Sequence, residues 1–407
     1  MSGGFDVIVA GGGISGTMAA IAATRAGART LLVERYGALG GMATLGLVQP
    51  ITTWGLGQAW VVGGSGRRIL EGMIARHPES ATELTRYGPT CDAEYLKREL
   101  EEQALAHGVT LRYHSWIAGV EREGERLTGL RVLSKGGEEA LEARVFVDAT
   151  GDGDLAADAG LPFEMGSQGI TLMFVLAGID RARCPEREAM ARLYQEAGPA
   201  SYRGLCIFWG PRPDGCYVNM TEVEGLDACD PEDLTRATIE CRRQAWQILD
   251  TFRAHVPGFE RAYIAKTAPA LGVRESRHVH GLYTLTGADV ESGRHFEDVI
   301  ARAGCPVDIH GSEHGGRGAY RGLKHSYAIP YRCLVPPEVA NLLLTGRCIS
   351  ADAVAHSSLR RMAPGFALGE AAGLAAAQAL AHDDTRTLPI APLQAALRDH
   401  GAILDSE

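Results

Sequence analysis

Three glycines and one carboxylate near the start of the chain have the types and spacing needed to hold a dinucleotide. Gly11, Gly13 and Gly16 form a G-x-G-x-x-G run, and Glu34 follows it by roughly the 20 residues at which such a carboxylate is placed. The first glycine of such a run permits a tight turn, the second lets the backbone approach a pyrophosphate, and the third allows a helix to pack close to a strand. Phosphates at the turn face the N-terminus of that helix, which opens with Ile14 and Ser15. A carboxylate in the position of Glu34 accepts hydrogen bonds from both hydroxyls of an adenosine ribose and repels a 2′-phosphate.

These groups need a strand, a turn, a helix and a second strand to position them, and the residue types supply all four. Asp6 leads into an apolar run over residues 7–10, an alanine-rich stretch follows the turn, and Thr30 leads into a second apolar run ending at Glu34. Glycine turns often serve packing alone, but this complete context points to dinucleotide binding. Residues 35–44 continue as a glycine-rich loop in which Gly40, Gly41, Met42 and Ala43 let backbone lie against a flat ligand. Residues 148–154 form another strand-to-helix turn, with Asp154 expected as the cap and Asp152 as either a ligand contact or a cap. Residues 341–346 read as a buried strand ending in a turn, and 364–380 as a small-residue helix able to pack tightly under a ligand.

Candidate acid-base and anion-binding groups lie further along. His310, His325 and His356 stand in polar loops, and a neutral imidazole there can take a hydroxyl or amine proton. His356 is the best placed, just beyond Gly346 and Arg347 and ahead of Arg360 and Arg361. Arg274 offers a planar fork to a substrate carboxylate or makes an internal ion pair with its neighbour Glu275. Tyr327 and Tyr331 are weaker proton-transfer candidates, better suited to packing. His278 and His280 alternate on one strand face, but no third and fourth ligands follow at a recognisable spacing, so no metal site is expected.

Composition narrows the class. A formal net charge of -10, with no run of lysine or arginine, excludes nucleic acid as a main partner. The nine cysteines contain no C-x-x-C pair, which favours buried thiols in a reducing compartment over a metal or dithiol centre. The first strand begins too early for a signal peptide, and no uncharged run approaches the roughly eighteen residues of a membrane span. The expectation is a cytoplasmic protein without membrane insertion that acts on a small molecule, its homo-oligomeric state left open.

Helical spacing covers 60–77 and 92–107, the second opening with Asp92 and stopped by Gly108. Residues 110–147 break into short alternating runs, the pattern of a small antiparallel meander. The middle is mixed, with helices expected at 186–197 and 231–254 and strands near 170–177, 204–210, 215–220 and 278–285. The fold class is therefore α/β: a Rossmann-like dinucleotide-binding domain, made of a parallel sheet with a small meander over 1–160, is completed by 336–407. An inserted α+β substrate domain occupies 161–335.

Four separated blocks resemble the bacterial FAD-dependent oxidoreductase family, whose fold is of the glutathione reductase type: the fingerprint through Thr44, then residues 148–160, 272–275 and 341–373. Residues 306–310 and 328–334 also fit. The resemblance implies FAD, with N- and C-terminal segments converging on one flavin. It assigns Gly11, Gly13, Ile14, Ser15, Gly16 and Glu34 to the ADP half and Arg35 to the adenosine. Gly40, Gly41, Met42 and Ala43 fall to the pyrophosphate or isoalloxazine, Gly151 and Asp152 to the same cofactor, and Gly346, Arg347, Gly365 and Ala367 to the ribityl chain and flavin edge. The implied activity is that of a dehydrogenase or oxidase passing a hydride between a small organic substrate and flavin N5, its electron acceptor undetermined. A flavin monooxygenase and a double-bond reductase are the redox rivals; a dinucleotide-binding scaffold or thiazole-synthase-like enzyme is the non-redox one. Residues 63–66 lack a preceding strand and a later acid, which argues against a second, NAD(P)H-binding domain.

Overall fold

A computed structural model describes residues 4–198, 204–310 and 319–405. Strand Phe5–Ala10 runs parallel to Thr30–Val33 on one side and to the end of Gly137–Asp148 on the other. Val7, Ile8 and Val9 are buried, the continuous apolar pattern of a parallel strand covered on both faces. Thr110–Arg112 extends one edge, parallel to Thr30–Val33, while Leu342–Leu344 pairs in parallel with Gly137–Asp148. The C-terminal segment thus adds a strand to the sheet begun by the first residues.

The meander comprises Trp116–Glu123, Arg126–Ser134 and Gly137–Asp148, all antiparallel. Of residues 111–116, expected in it, all but Trp116 instead supply the edge strand of the main sheet and the turn that leaves it. Gly137–Asp148 serves both structures: its first half is exposed and its last four residues are buried between parallel neighbours.

Two helices show where local rules hold. Asp92 caps Ala93–Ala106, accepting from the Glu94 amide at 2.9 Å. The helix expected from residue 60 begins only at Ser65, because Gly64 has φ of 87° and Ala59–Trp60 pair with Gly55–Leu56. Helix Ile14–Arg25 lies directly on Met362–Ala379, and a Cβ built on Gly369 or Gly373 would overlap the carbonyl oxygen of Ser15 or Ala19. Side-chain-free contact on that scale locks the two ends of the chain together.

A second core has its own four-stranded antiparallel sheet of Phe174–Ala177, Ile207–Trp209, Cys216–Val218 and Tyr263–Thr267. Pro231–His255 and Arg187–Glu196 contribute Phe252 and Tyr194 to this core. Tyr263–Thr267 has no counterpart in the sequence reading; its half-exposed, Lys-containing pattern carries little apolar signal. Of the expected strand near 278–285, only Arg277–Val279 forms, against Phe163–Met165. Val299–Ala303 and Tyr327–Pro330 pack into the first core, so residues 161–335 contribute to both cores. Among the described residues no helix is long and apolar enough to cross a membrane.

Candidate functional site

A cleft opens where the parallel strands end. Its floor is the first glycine turn, with Gly11, Gly13, Ile14 and Ser15 on the wall. Gly11 has φ of 101°, and a Cβ there would sit 2.5 Å from the Ala149 carbonyl oxygen, so only glycine serves. Gly13 differs: a Cβ built on it meets no atom within 4 Å, and the residue faces open cleft. No side chain caps Ile14–Arg25 and no acid occupies its first turn, which leaves a positive helix end available to phosphate. Glu34 lines the same wall, its carboxylate oriented by the amides of Gly12 at 2.7 Å and Tyr36 at 2.8 Å. Arg35 lies 5.1 Å from the Tyr36 ring and 5.2 Å from the Trp116 ring.

Gly40, Gly41, Met42, Gly151, Asp152, Gly346, Arg347 and Gly365 also face the cleft. Ser15 Oγ donates to the Gly365 carbonyl at 2.8 Å, joining the first helix to the last at its rim. Gly16, Ala43 and Ala367 do not reach the cleft. Gly16 is pressed against the Gly11 carbonyl beneath the turn, and Ala43 points into the core. Ala367 stands about 200° round the helix from Gly365, on the side packed against the core.

Asp152 makes an ion pair rather than a cap. Arg347 Nη2 donates to it at 2.6 Å and Ser276 Oγ at 2.7 Å. Burial acts to raise its carboxyl, but Arg347 and Ser276 hold it below the ordinary value. Asp154, expected as the cap, pairs with Arg277 at 3.0 Å. Capping falls to Asp148, which accepts from the amides of Leu155 at 3.0 Å and Ala156 at 3.1 Å.

Among the described residues no histidine lines the cleft. His356 is fully buried, its Nε2 3.0 Å from the Arg347 carbonyl oxygen and its ring stacked 4.2 Å from that of His278. Burial keeps this imidazole neutral, well below its ordinary pKa. It lies on the inner face of helix Ala353–Leu359, while Arg360 and Arg361, just past the helix end, reach the cleft. His325 is exposed on a bend beside Gly293. Arg274 is buried in an internal pair, with Glu222 at 3.3 Å rather than Glu275. Glu275 turns instead to His278 Nε2 at 3.0 Å. His280 points away towards Glu164, so the two strand histidines form no pair; Glu275, His278 and His356 cluster instead. Tyr327 and Tyr331 are buried, bonded to Ser358 and the Thr385 carbonyl.

The chain matches, over residues 6–397, the sequence profile described as FAD dependent oxidoreductase. It belongs to that family. FAD is accordingly the cofactor of this flavoenzyme, and the open Gly13, the uncapped helix and the oriented Glu34 fit its ADP half. Among solved structures, a geranylgeranyl bacteriochlorophyll reductase-like protein from Thermoplasma acidophilum is similar at 12% identity and a TM-score of 0.52, over 97% of this chain and 83% of that one. A triple mutant of a flavin-dependent brominase is similar at 15% identity and a TM-score of 0.50, over 97% and 84%. At these identities the likeness is one of fold. Comparison with curated protein sequences found no match.

The flavoenzyme's cleft also has wall residues that the sequence does not assign: Tyr36, Trp116, Leu271, Val273, Arg360 and Arg361. Trp116 at the end of an apolar run is the available sequence signal, and the two arginines stand in the sequence only as neighbours of His356. Arg361 forms an ion pair with Asp308, which also accepts from His310 Nε2 at 3.1 Å. Burial acts to raise the Asp308 carboxyl, but His310, Arg361 and Arg360 outweigh it and hold the group well below the usual carboxylate range. A depressed folded-state pKa stabilises the fold above the unfolded value of 3.8 and ceases to do so as pH falls towards the folded value. Wild type is expected to exceed Asp308→Asn in stability by roughly 2 kcal/mol at neutral pH, the gap closing below about pH 4. Denaturant titrations across pH check this; a gap that is constant with pH would exclude the charged network as its source.

Proposed function

We propose that this FAD dependent oxidoreductase acts as a dehydrogenase or oxidase, passing a hydride between a small organic substrate and flavin N5, with Arg361 orienting the substrate. The observation that carries this reading is one cleft lined by the glycine turn, by apolar Leu271 and Val273, and by Arg361. Gly11, Gly13, Ile14 and Ser15 would take the pyrophosphate, Glu34 the ribose, and Arg35 with Trp116 the adenine side. Gly40, Gly41, Met42, Gly346 and Gly365 would border the remainder of the cofactor, which supplies the hydride acceptor or donor when bound.

The chain's own contribution is orientation and exclusion of water. Among the described residues the buried Nε–H of Arg361 has no hydrogen-bond partner, while Asp308 accepts from the neighbouring Nη2 on the same edge of the guanidinium. That geometry suits a substrate bearing a carboxylate or a carbonyl oxygen. His310 acts through Asp308 as a positioning residue.

An anaerobic screen of small hydroxy and amino acids, following loss of the oxidised flavin band, tests the reading. Bleaching by an organic substrate without nicotinamide supports it. Rapid bleaching by NADPH, with none by the organic panel, would replace it with a nicotinamide-fed monooxygenase or reductase. With a substrate in hand, Arg361→Gln should raise KM roughly 10–100-fold, the loss of one charge-assisted hydrogen bond, with a smaller change in kcat. An unchanged KM removes Arg361 from substrate recognition.

A further inference from the structure

Behind the Asp152–Arg347 pair lies a buried cluster that hydride transfer does not use. Glu275, His278 and His356 are 3%, 5% and 0% exposed. One ligand atom from each lies within 4.8 Å of the other two. They come from three segments: the loop before strand Arg277–Val279, the strand itself, and helix Ala353–Leu359.

The hydrogen bonds around the cluster decide what its inner atoms are. His278 Nδ1 is 3.0 Å from the Ala351 carbonyl oxygen, and His356 Nε2 is 3.0 Å from that of Arg347. A carbonyl oxygen only accepts, so each of these nitrogens carries its ring's proton. In neutral rings the opposite nitrogens, His278 Nε2 and His356 Nδ1, are then bare lone pairs. Both are directed to the same carboxylate, with Glu275 Oε1 at 3.0 Å from the first and 3.8 Å from the second. Among the described residues none of these three atoms has a hydrogen-bond partner. Three buried acceptors facing one another without a donor repel each other unless a cation stands between them.

We propose that Glu275, His278 and His356 bind a divalent first-row transition ion, with zinc the reference case. Ligand bonds of about 2.0–2.1 Å in a tetrahedral site place neighbouring ligand atoms roughly 3.3 Å apart. The two measured separations straddle that value. Two imidazoles and one carboxylate suit zinc and its neighbours rather than calcium or magnesium, which take oxygen sets. Each ligand is also oriented by an outer hydrogen bond: the two carbonyls hold the rings, and the Gln168 amide donates to Glu275 Oε2 at 3.2 Å. Three protein ligands leave a fourth position for water. The ion would pin the loop carrying Ser276 to the helix preceding Arg360, and so steady one wall of the cleft. Its part is positional.

The test uses untagged holoenzyme, stripped with a strong chelator and dialysed. Zinc is then titrated in competition with a chromophoric chelator, and bound metal is counted by mass spectrometry. One ion per chain is expected, with affinity falling at least ~100-fold in Glu275→Gln and His278→Gln. Flavin content and melting temperature identify any variant that has misfolded. Zinc-edge absorption spectroscopy of wild type gives a second reading that needs no variant: two imidazoles and light-atom scatterers are expected, and sulfur ligation from the cysteines overturns the site. No stoichiometric binding overturns it too, leaving a proton between His278 and Glu275. Equal binding by wild type and both variants does the same.

Discussion

Gly13→Glu is expected to yield a folded protein without flavin. The backbone at position 13 has φ of −64° and ψ of 179°, open to any residue, and a Cβ there meets nothing within 4 Å. The substitution therefore costs the fold little. Its carboxylate would project into the cleft at the uncapped first turn of Ile14–Arg25, where the pyrophosphate is proposed to lie. It would satisfy the helix end in the cofactor's place and repel the phosphates. Close backbone approach would be lost as well. A loss of about 4 kcal/mol corresponds to a thousandfold weaker Kd, enough to give colourless preparations. Flavin absorbance per chain and melting curves measured beside FAD-free wild type check both halves. Wild-type flavin content in the variant would move the pyrophosphate away from this turn.

The glycine-turn part of the cleft is legible because its determinants are local. Gly11 and Gly40 have φ of 101° and 98°, conformations that single glycines announce in sequence. Glu34 follows its turn at a distance set by one helix and one strand. The other site residues depend on helix phase and on partners far away in sequence. His356 and Arg361 are only five residues apart, yet a short helix turns one into the core and its end delivers the other to the cleft. Arg274 pairs with Glu222 across the structure rather than with adjacent Glu275. In sequence His278 stands beside its strand neighbour His280, whereas its ring stacks on His356. Capping followed the same logic, since Asp148 reaches across its loop to the amides that Asp154 was expected to serve.

Gly369→Val should fail differently, by unfolding the cofactor domain rather than emptying it. Met362–Ala379 and Ile14–Arg25 are in backbone contact, and at position 369 the atom in the way is the Ser15 carbonyl oxygen. A carbonyl within a helix cannot swing aside as the end of a lysine can, so the helices must separate. Gly373 meets the Ala19 carbonyl one turn later, which means separation at one point strips packing along the whole seam. It would also stretch the Ser15–Gly365 hydrogen bond that closes the cleft rim. Overpacking alone typically costs 1–3 kcal/mol, and rigid backbone on one side puts this case at the top of that range or beyond, about 4 kcal/mol. For a chain of this size that is roughly a 5 °C fall in melting temperature. Insoluble protein, or protein that melts early and has lost its flavin, is the expected result, whereas Gly13→Ala should melt as wild type does. A yellow Gly369→Val protein with an unchanged melting temperature would mean that the two helices are not in contact at that glycine.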